Sequence, residues 1–285
     1  SWHCVGMTLD PESTRQIEAN RANWDARTPI HVASAFYGID GSRPAESWFA
    51  DYEWNDLGEL SGREVVHLQC HLGTETVAFA QRGAVTYGLD ISAEAVAAAR
   101  RIAAERGLAV DYHEADVHDA VEVLGAGRFD VVYTGKGAVC YLPDIDLWAR
   151  VVHDLLKPGG FLYLAEFHPL LDALGEVPDP GREDSLELRH DYLSGRGAIA
   201  KDSTRTYTDG PALSSATTAY EWRHGVGEVV TALAGAGLRI EVVREDERLP
   251  WPRFPSMVAG DDGWFRLPEQ APRIPLLYAI RARRL

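Results

Sequence analysis

The chain has 285 residues, with 28 Lys and Arg against 43 Asp and Glu, a formal charge of −15 in an otherwise ordinary composition of 46% hydrophobic and 25% charged residues. An acidic chain with no basic run has nothing to displace counterions from a polyanion, which excludes nucleic acid as a partner, and its length supports a core that needs neither disulfide nor metal. The three cysteines, Cys4, Cys70 and Cys140, are far apart and form no CxxC pair, so a disulfide framework and a zinc ribbon are excluded and a reducing, cytoplasmic setting is expected.

Residues 1–6 precede a candidate initiator, Met7, and read as an extension without functional content. Residues 8–60 begin with a helical pattern, then loosen, and hold Trp24, Trp48 and Trp54; residues 1–58 are expected to form an N-terminal helical cap ahead of an α/β domain at 59–285. In that domain, strand-like and helix-like patterns alternate, the signature of βαβ units and a mostly parallel sheet. Val65–Leu68 is a buried strand, followed by a loop to Gly73 and a helix that ends at Gly83. Ala84–Asp90 is the second strand, and Ser92 caps an Ala-rich helix closed by Gly107. Residues 109–116 and Phe129–Thr134 are the third and fourth strands. A helix from about Asp144 to Leu156 leads to a Lys157-Pro158-Gly159-Gly160 turn and a fifth strand, Phe161–Phe167, which Pro169 stops. Residues of about 170–218 read as a polar insertion with a strand or two. Strand 219–223, helix 227–236 and strand 238–245 follow. A Pro-rich, aromatic segment at 250–275 suits an ordered loop packed on its surroundings, and strand 276–281 ends the pattern. The apolar stretches are strand-sized, so no membrane partner is expected.

In open α/β sheets, ligands sit outside the carboxyl ends of the strands, where the strand order reverses. The loop after the first strand, His67-Leu68-Gln69-Cys70-His71-Leu72-Gly73, keeps one glycine of a nucleoside-binding fingerprint. Asp90, 17 residues after Gly73 at the end of the second strand, can accept two hydrogen bonds from a ribose diol, and Asp116, ending the third strand, can accept one from an adenine amino group. Together they describe an adenosine-shaped site. A nicotinamide cofactor would leave Asp116 and the Lys-Pro-Gly-Gly turn unexplained. A metal reading of His67, Cys70 and His71 lacks a fourth ligand, and the spacing of His113 and His118 is not that of HExxH.

These motifs resemble class I S-adenosylmethionine-dependent methyltransferases: Val65–Gly73 as the first, Gly88–Ser92 as the second, Glu114–Val117 as the third, Phe129–Val132 as the fourth, and Leu156–Gly160 before the fifth strand. More narrowly, His67–Gly73, Asn23-Trp24-Asp25 and Ala165–Pro169 look like an actinobacterial group of small-molecule, natural-product methyltransferases. The resemblance implies a Rossmann-like, seven-stranded, mostly parallel sheet with its last strand antiparallel, and S-adenosyl-L-methionine as cofactor. It places His67, Gln69, His71, Gly73, Asp90, Ile91, Asp116, Val117 and Gly135 at the cofactor. The departure lies in the first motif, where His67, Gln69 and His71 stand in place of the usual acid and two glycines. Neither the Pro-Cys nucleophile nor the Asn/Asp-Pro-Pro-aromatic run of the DNA-methylating enzymes is present.

Methyl transfer from a sulfonium is an in-line displacement governed by positioning and dryness, with a base to take the acceptor's proton. His168 at the end of the fifth strand is the first candidate base, with Glu166 on the same strand face and His224 behind it. His168 also fits a turn, Glu166 an ion pair with arginine, and His224 a helix cap. Trp24, His31, Tyr37, Lys136, Tyr220 and Trp222 are expected at the small-molecule acceptor, Lys136 facing an anionic acceptor or pairing with Asp130. No metal is expected. The N-terminal helices suggest a homo-oligomer. A cofactor-binding module without catalysis and a nicotinamide oxidoreductase are the rival readings.

Overall fold

The computed structural model describes residues 8–177 and 179–285; residues 1–6 lie outside it. In α1 (Pro11–Ala33) Asp10 accepts the Glu12 and Ser13 amides at 2.9 Å, with proline at the first helical position. α2 (Asp51–Leu57) completes the N-terminal segment. Then come β1 (Glu64–Leu68), α3 (Thr76–Gln81), β2 (Val85–Asp90), α4 (Ala93–Glu105), β3 (Val110–Glu114), α5 (Ala120–Leu124) and β4 (Phe129–Thr134). Ser92 caps α4 as its position suggests, accepting the Ala95 amide at 3.0 Å. α6 (Ile145–Leu155) runs into β5 (Leu156–Phe167), and α7 (Pro169–Leu174) follows. β6 (Ile199–Asp202) and β7 (Thr218–Glu221) pair antiparallel within the insertion, which is otherwise irregular after α7. α8 (Val226–Gly235), β8 (Leu238–Asp246), the short antiparallel pair β9 (Val258–Ala259) and β10 (Phe265–Arg266), and β11 (Leu277–Arg284) end the fold.

Seven strands form one sheet in the order β3-β2-β1-β4-β5-β11-β8. β1 pairs parallel with both β2 and β4, while β11 runs antiparallel between β5 and β8. The strand order therefore reverses between β1 and β4, and the crevice opens at their carboxyl ends. Side-chain alternation sends neighbours to opposite faces. Val66, Leu68, Val132 and Leu162 pack with Trp148 under α6 and α8, and Val65, Tyr133 and Tyr163 pack with Phe79 under α3 and the N-terminal segment. The Pro-rich segment is ordered, with Phe254 and Trp264 buried against Leu171, Leu174 and Leu276. Among the described residues, no helix is long and apolar enough to cross a membrane.

One expected turn is part of a strand. Lys157–Gly160 lies within β5 as an irregularity: Phe129 pairs with Leu156, and the next partner pair is Val131 with Phe161. Gly159 has φ of 81°, and a Cβ on Gly160 would lie 2.9 Å from the Phe129 carbonyl oxygen and 3.0 Å from that of Asp130. Because those neighbours are backbone, they cannot swing aside. Gly160→Ala should therefore destabilise the fold by about 1–3 kcal/mol, read as a lower urea midpoint at unchanged slope.

Candidate functional site

The loop after β1 carries three consecutive odd-numbered residues with left-handed backbone: Gln69 at φ 54°, His71 at 49° and Gly73 at 68°. Glycine takes this conformation freely, whereas a side chain there costs about 1–2 kcal/mol. The two positions where glycines are replaced thus keep a glycine-like backbone path, and the departure in the first motif is one of side chains. The path is held by bonds to β2: Cys70 N donates to Leu89 O at 3.0 Å, and His71 N to the Asp90 carboxylate at 2.8 Å. Asp90 also accepts the Ser92 amide at 2.9 Å, and burial pushes its pKa up to about 6 despite these donors. Since a carboxylate has about four acceptor positions, these amides leave capacity for a ligand hydroxyl.

Asp116 lies beyond β3 instead of ending it. It caps the single turn Val117–Asp119, and one of its oxygens takes both the His118 amide and His118 Nδ1, at 3.0 and 2.6 Å. Burial favours its neutral form, but the His118 bonds outweigh it and hold the carboxyl below its usual range. The second oxygen remains to face a ligand amino group. Val117 is buried in the core, and the Ile91 carbonyl accepts Arg21 Nη1 at 2.9 Å. Gly135, just after β4, is closely bordered: a Cβ there would lie 3.0 Å from Glu75 Oε2 and 3.2 Å from His67 Nε2.

α1 lies across this loop through hydrogen bonds. Asn20 donates to the Tyr220 carbonyl at 2.9 Å and accepts the Tyr220 amide at 2.7 Å, and Asn23 donates to Ala216 O at 2.6 Å. Ser92 Oγ donates to Asp25 at 2.5 Å. His31 Nδ1 and His71 Nε2 are hydrogen-bonded at 2.8 Å, and His31 meets Thr206 Oγ1 on its other nitrogen at 2.8 Å. Burial holds the His31 imidazole down to about 3 and His71 well below its ordinary value, so both are neutral. Trp24 packs edge-on against His71 and Tyr141, with ring centres 4.9 and 5.5 Å apart, and the Tyr37 and Tyr207 hydroxyls meet nearby. Trp24, His31 and Tyr37 are thus assembled over the loop. Tyr220 joins through its backbone. Trp222 sits elsewhere, lining with His224, Ser13 and Glu228 a pocket of about 440 Å³ to which no residue of the β1 loop contributes.

The three candidate bases occupy structural positions. His168 caps α7, accepting the Leu170 amide on Nδ1 at 3.1 Å, and its Nε2 meets Glu245 at 3.0 Å, so neither nitrogen is left for an acceptor proton. Glu166 does not pair with an arginine. It accepts the Gly137, Ala138, Val139 and Phe167 amides and so anchors the loop after β4; burial pushes its pKa up to about 7 against those donors. His224 donates Nε2–H to Leu142 O at 2.7 Å, and Gly225, not His224, is the cap residue of α8. Lys136 pairs with Glu53 and Glu75, while Asp130 pairs with Lys157 at 3.0 Å. Strand-end position put these residues near the crevice, but the Glu245 carboxylate, the Leu142 carbonyl and the Gly137, Ala138 and Val139 amides that claim them come from distant segments and leave no mark on the local sequence. Glu53, Glu75, Tyr141, Thr206 and Tyr207 were not singled out from the sequence, and an acid beside a helix start, as Glu75 is, has no distinguishing signal there.

A sheet with this strand order and one antiparallel inserted strand, with an acid ending its second strand and another beyond its third, has the class I methyltransferase architecture. Residues 66–162 match the family model described as Methyltransferase domain. The ubiquinone biosynthesis O-methyltransferase of Pseudomonas aeruginosa is 37% identical over 106 residues, 37% of this chain and 45% of that protein, so the chain spans about half the length of the curated relatives it matches. Among solved structures, a candidate S-adenosylmethionine-dependent methyltransferase from Listeria monocytogenes aligns with TM-score 0.60 at 20% identity, covering 85% of this chain and 98% of that one. A second, from Mesorhizobium loti, gives 0.56 at 24%, covering 87% and 100%. At these identities the neighbours establish the fold.

The donor set fits such a cofactor. Asp90 and Asp116 keep free acceptor positions, and the buried atoms Gln69 Oε1, His71 Nδ1, Asn23 Oδ1 and Arg27 Nε lack partners around the β1 loop. Buried polar groups without partners are uncommon enough to call for a ligand or water. From the His168 geometry, His168→Ala should cost about 0.5–2 kcal/mol of stability through the lost cap, measured by urea unfolding, while affinity for S-adenosylhomocysteine stays unchanged. A loss of affinity at unchanged stability would contradict the capping role.

Proposed function

We propose that this chain is an S-adenosylmethionine-dependent methyltransferase acting on a small, partly apolar acceptor. The observation that carries the reading is the β1 loop, whose left-handed residues direct the His71 amide onto Asp90 at the reversal point of the sheet. Asp90 holds the ribose diol, Asp116 the adenine amino group, and the Gln69–Gly73 backbone the nucleoside between them. The bound cofactor supplies an electrophilic methyl group on a sulfonium. The chain contributes orientation and exclusion of water: α1 and the insertion close over the loop, and the neutral His31–His71 pair holds them together. Acceptor recognition falls to residues outside 66–162, in the N-terminal segment and the insertions. The rings of Trp24, Tyr37 and Tyr207, joined by Tyr141 from the segment after β4, favour an acceptor with an apolar or aromatic body. The relative's name, an O-methyltransferase, favours oxygen as the methylated atom, and a natural-product acceptor remains part of this proposal.

Calorimetric titration with S-adenosylhomocysteine and transfer of labelled methyl to an acceptor panel test the reading together. Binding with transfer supports the enzyme; binding without transfer across a broad panel supports a binding module; saturation by NAD alone supports an oxidoreductase. Asp90→Ala should weaken S-adenosylhomocysteine binding by about 1.5–3 kcal/mol for each hydroxyl left without its charged acceptor. Because binding uses the ionised carboxylate and burial places that group near 6, affinity should fall as pH drops through about 6, and Asp90→Asn should flatten that part of the profile.

A further inference from the structure

A buried charge cluster beside Gly135 stands apart from the adenosine contacts. Lys136, whose side chain is 5% exposed, faces Glu53 at 3.5 Å and Glu75 at 3.6 Å, with those carboxylates 0% and 16% exposed. Glu53 is otherwise satisfied, accepting the Ala50 amide at 2.7 Å. Glu75 is not: its nearest donors among the described residues are Tyr133 Oη at 3.5 Å and Lys136 at 3.6 Å. Charge-assisted bonds normally close to about 2.7–2.9 Å, so a carboxylate and an ammonium are both desolvated here with no short partner between them. Next to Glu75 Oε2, His67 Nε2 takes no hydrogen bond among the described residues, its other nitrogen being held by Thr76 at 2.8 Å. Burial holds the His67 imidazole neutral, at about 3, so the residue in the position of the usual acid supplies no charge.

The balance of charge indicates what is missing. Within contact of one another, the two carboxylates Glu53 and Glu75 against the single Lys136 ammonium leave −1. Burial opposes ionisation of Glu75 and of Lys136 alike; Glu75 is left above its ordinary range, while for Lys136 the two glutamates outweigh burial and keep the ammonium charged. An amino-acid sulfonium carries an ammonium, a carboxylate and the sulfonium charge, +1 in all, and brings the cluster to zero.

Resting on the cofactor reading above, we infer that Glu75 and Lys136 receive the amino-acid end of the cofactor, Glu75 accepting from its ammonium and Lys136 donating to its carboxylate. Glu75 thereby takes the place of an acid at position 67, from eight residues further along the chain. The two groups approach the same wall, since Glu75 Oε2 and His67 Nε2 both border Gly135.

The test is calorimetric binding of two ligands, S-adenosylhomocysteine and methylthioadenosine, which share the nucleoside but differ in the amino-acid end. Glu75→Gln should weaken S-adenosylhomocysteine at least about tenfold and leave methylthioadenosine within about twofold; Lys136→Met should show the same selectivity. Glu75→Gln leaves Lys136 its Glu53 partner, and thermal melting checks that the variant is folded. Glu75→Asp, which keeps the charge but withdraws it by one methylene, is the second variant and should also lose only the longer ligand. Equal losses for both ligands, or none for S-adenosylhomocysteine, would overturn the assignment while leaving the cofactor reading intact. Failure of the unmodified protein to bind either ligand would overturn both.

Discussion

Everything in the site depends on keeping the backbone of Gln69 and His71 in the left-handed region without glycine. Two such residues together cost about 2–4 kcal/mol, a sizeable fraction of the 5–15 kcal/mol by which domains are stable. Strain of this kind persists only where the surroundings over-determine it. Here they do: Leu89 and Asp90 fasten the main chain from one side, Gln69 Nε2 donates to Ala138 O at 3.1 Å from another, and His31 meets the His71 ring from above. The side chains that raise the backbone energy are also the ones that tie the loop to its neighbours. A glycine loop would be less strained, but it could not reach α1 or the segment after β4.

The same principle explains how much could be read from the amino-acid order. Val65–Leu68, Ala84–Asp90 and Phe129–Thr134 are visible as strands because apolar runs broken by glycine have few alternatives, and Asp90 stands out because a strand end and an acid coincide. α1 is legible as a helix, but its docking is not. Its buried face is Asn20, Asn23, Thr28 and His31 beside Ile17, so amides and an imidazole hold it where an apolar stripe would normally be sought. The Lys157–Gly160 segment reads as a turn locally and is carried within β5 only because Leu156 and Phe161 on either side of it pair with the Phe129 strand. His168 and Glu166 show the limit most clearly. Both lie where a base could be, and only the three-dimensional structure reveals the Leu170 amide, the Glu245 carboxylate and the four amides that already occupy them.

Polar groups do two kinds of work in this molecule. On β5 and at the start of α7 they are saturated: Glu166 spends its capacity on main-chain amides, His168 on the Leu170 amide and the Glu245 carboxylate, and together they hold the loop after β4 and the entrance to the insertion. Around the β1 loop they are incompletely bonded, with Gln69, His71 and Asn23 each keeping a buried atom without a partner. Desolvation makes an incompletely bonded group costly, so such groups indicate where a ligand completes the network.

The contact between Asn20 and Tyr220 has a chemical consequence of its own. The asparagine amide behaves as a single peptide unit, giving and taking one bond with the edge of β7 across 200 positions of sequence. An aspartate there, whether encoded or produced by deamidation, would keep the acceptor and lose the donor, setting a negative oxygen against the Tyr220 carbonyl. The helix covering the site would then be joined to the insertion by one hydrogen bond fewer, and by one repulsive contact, at the point where it meets β7.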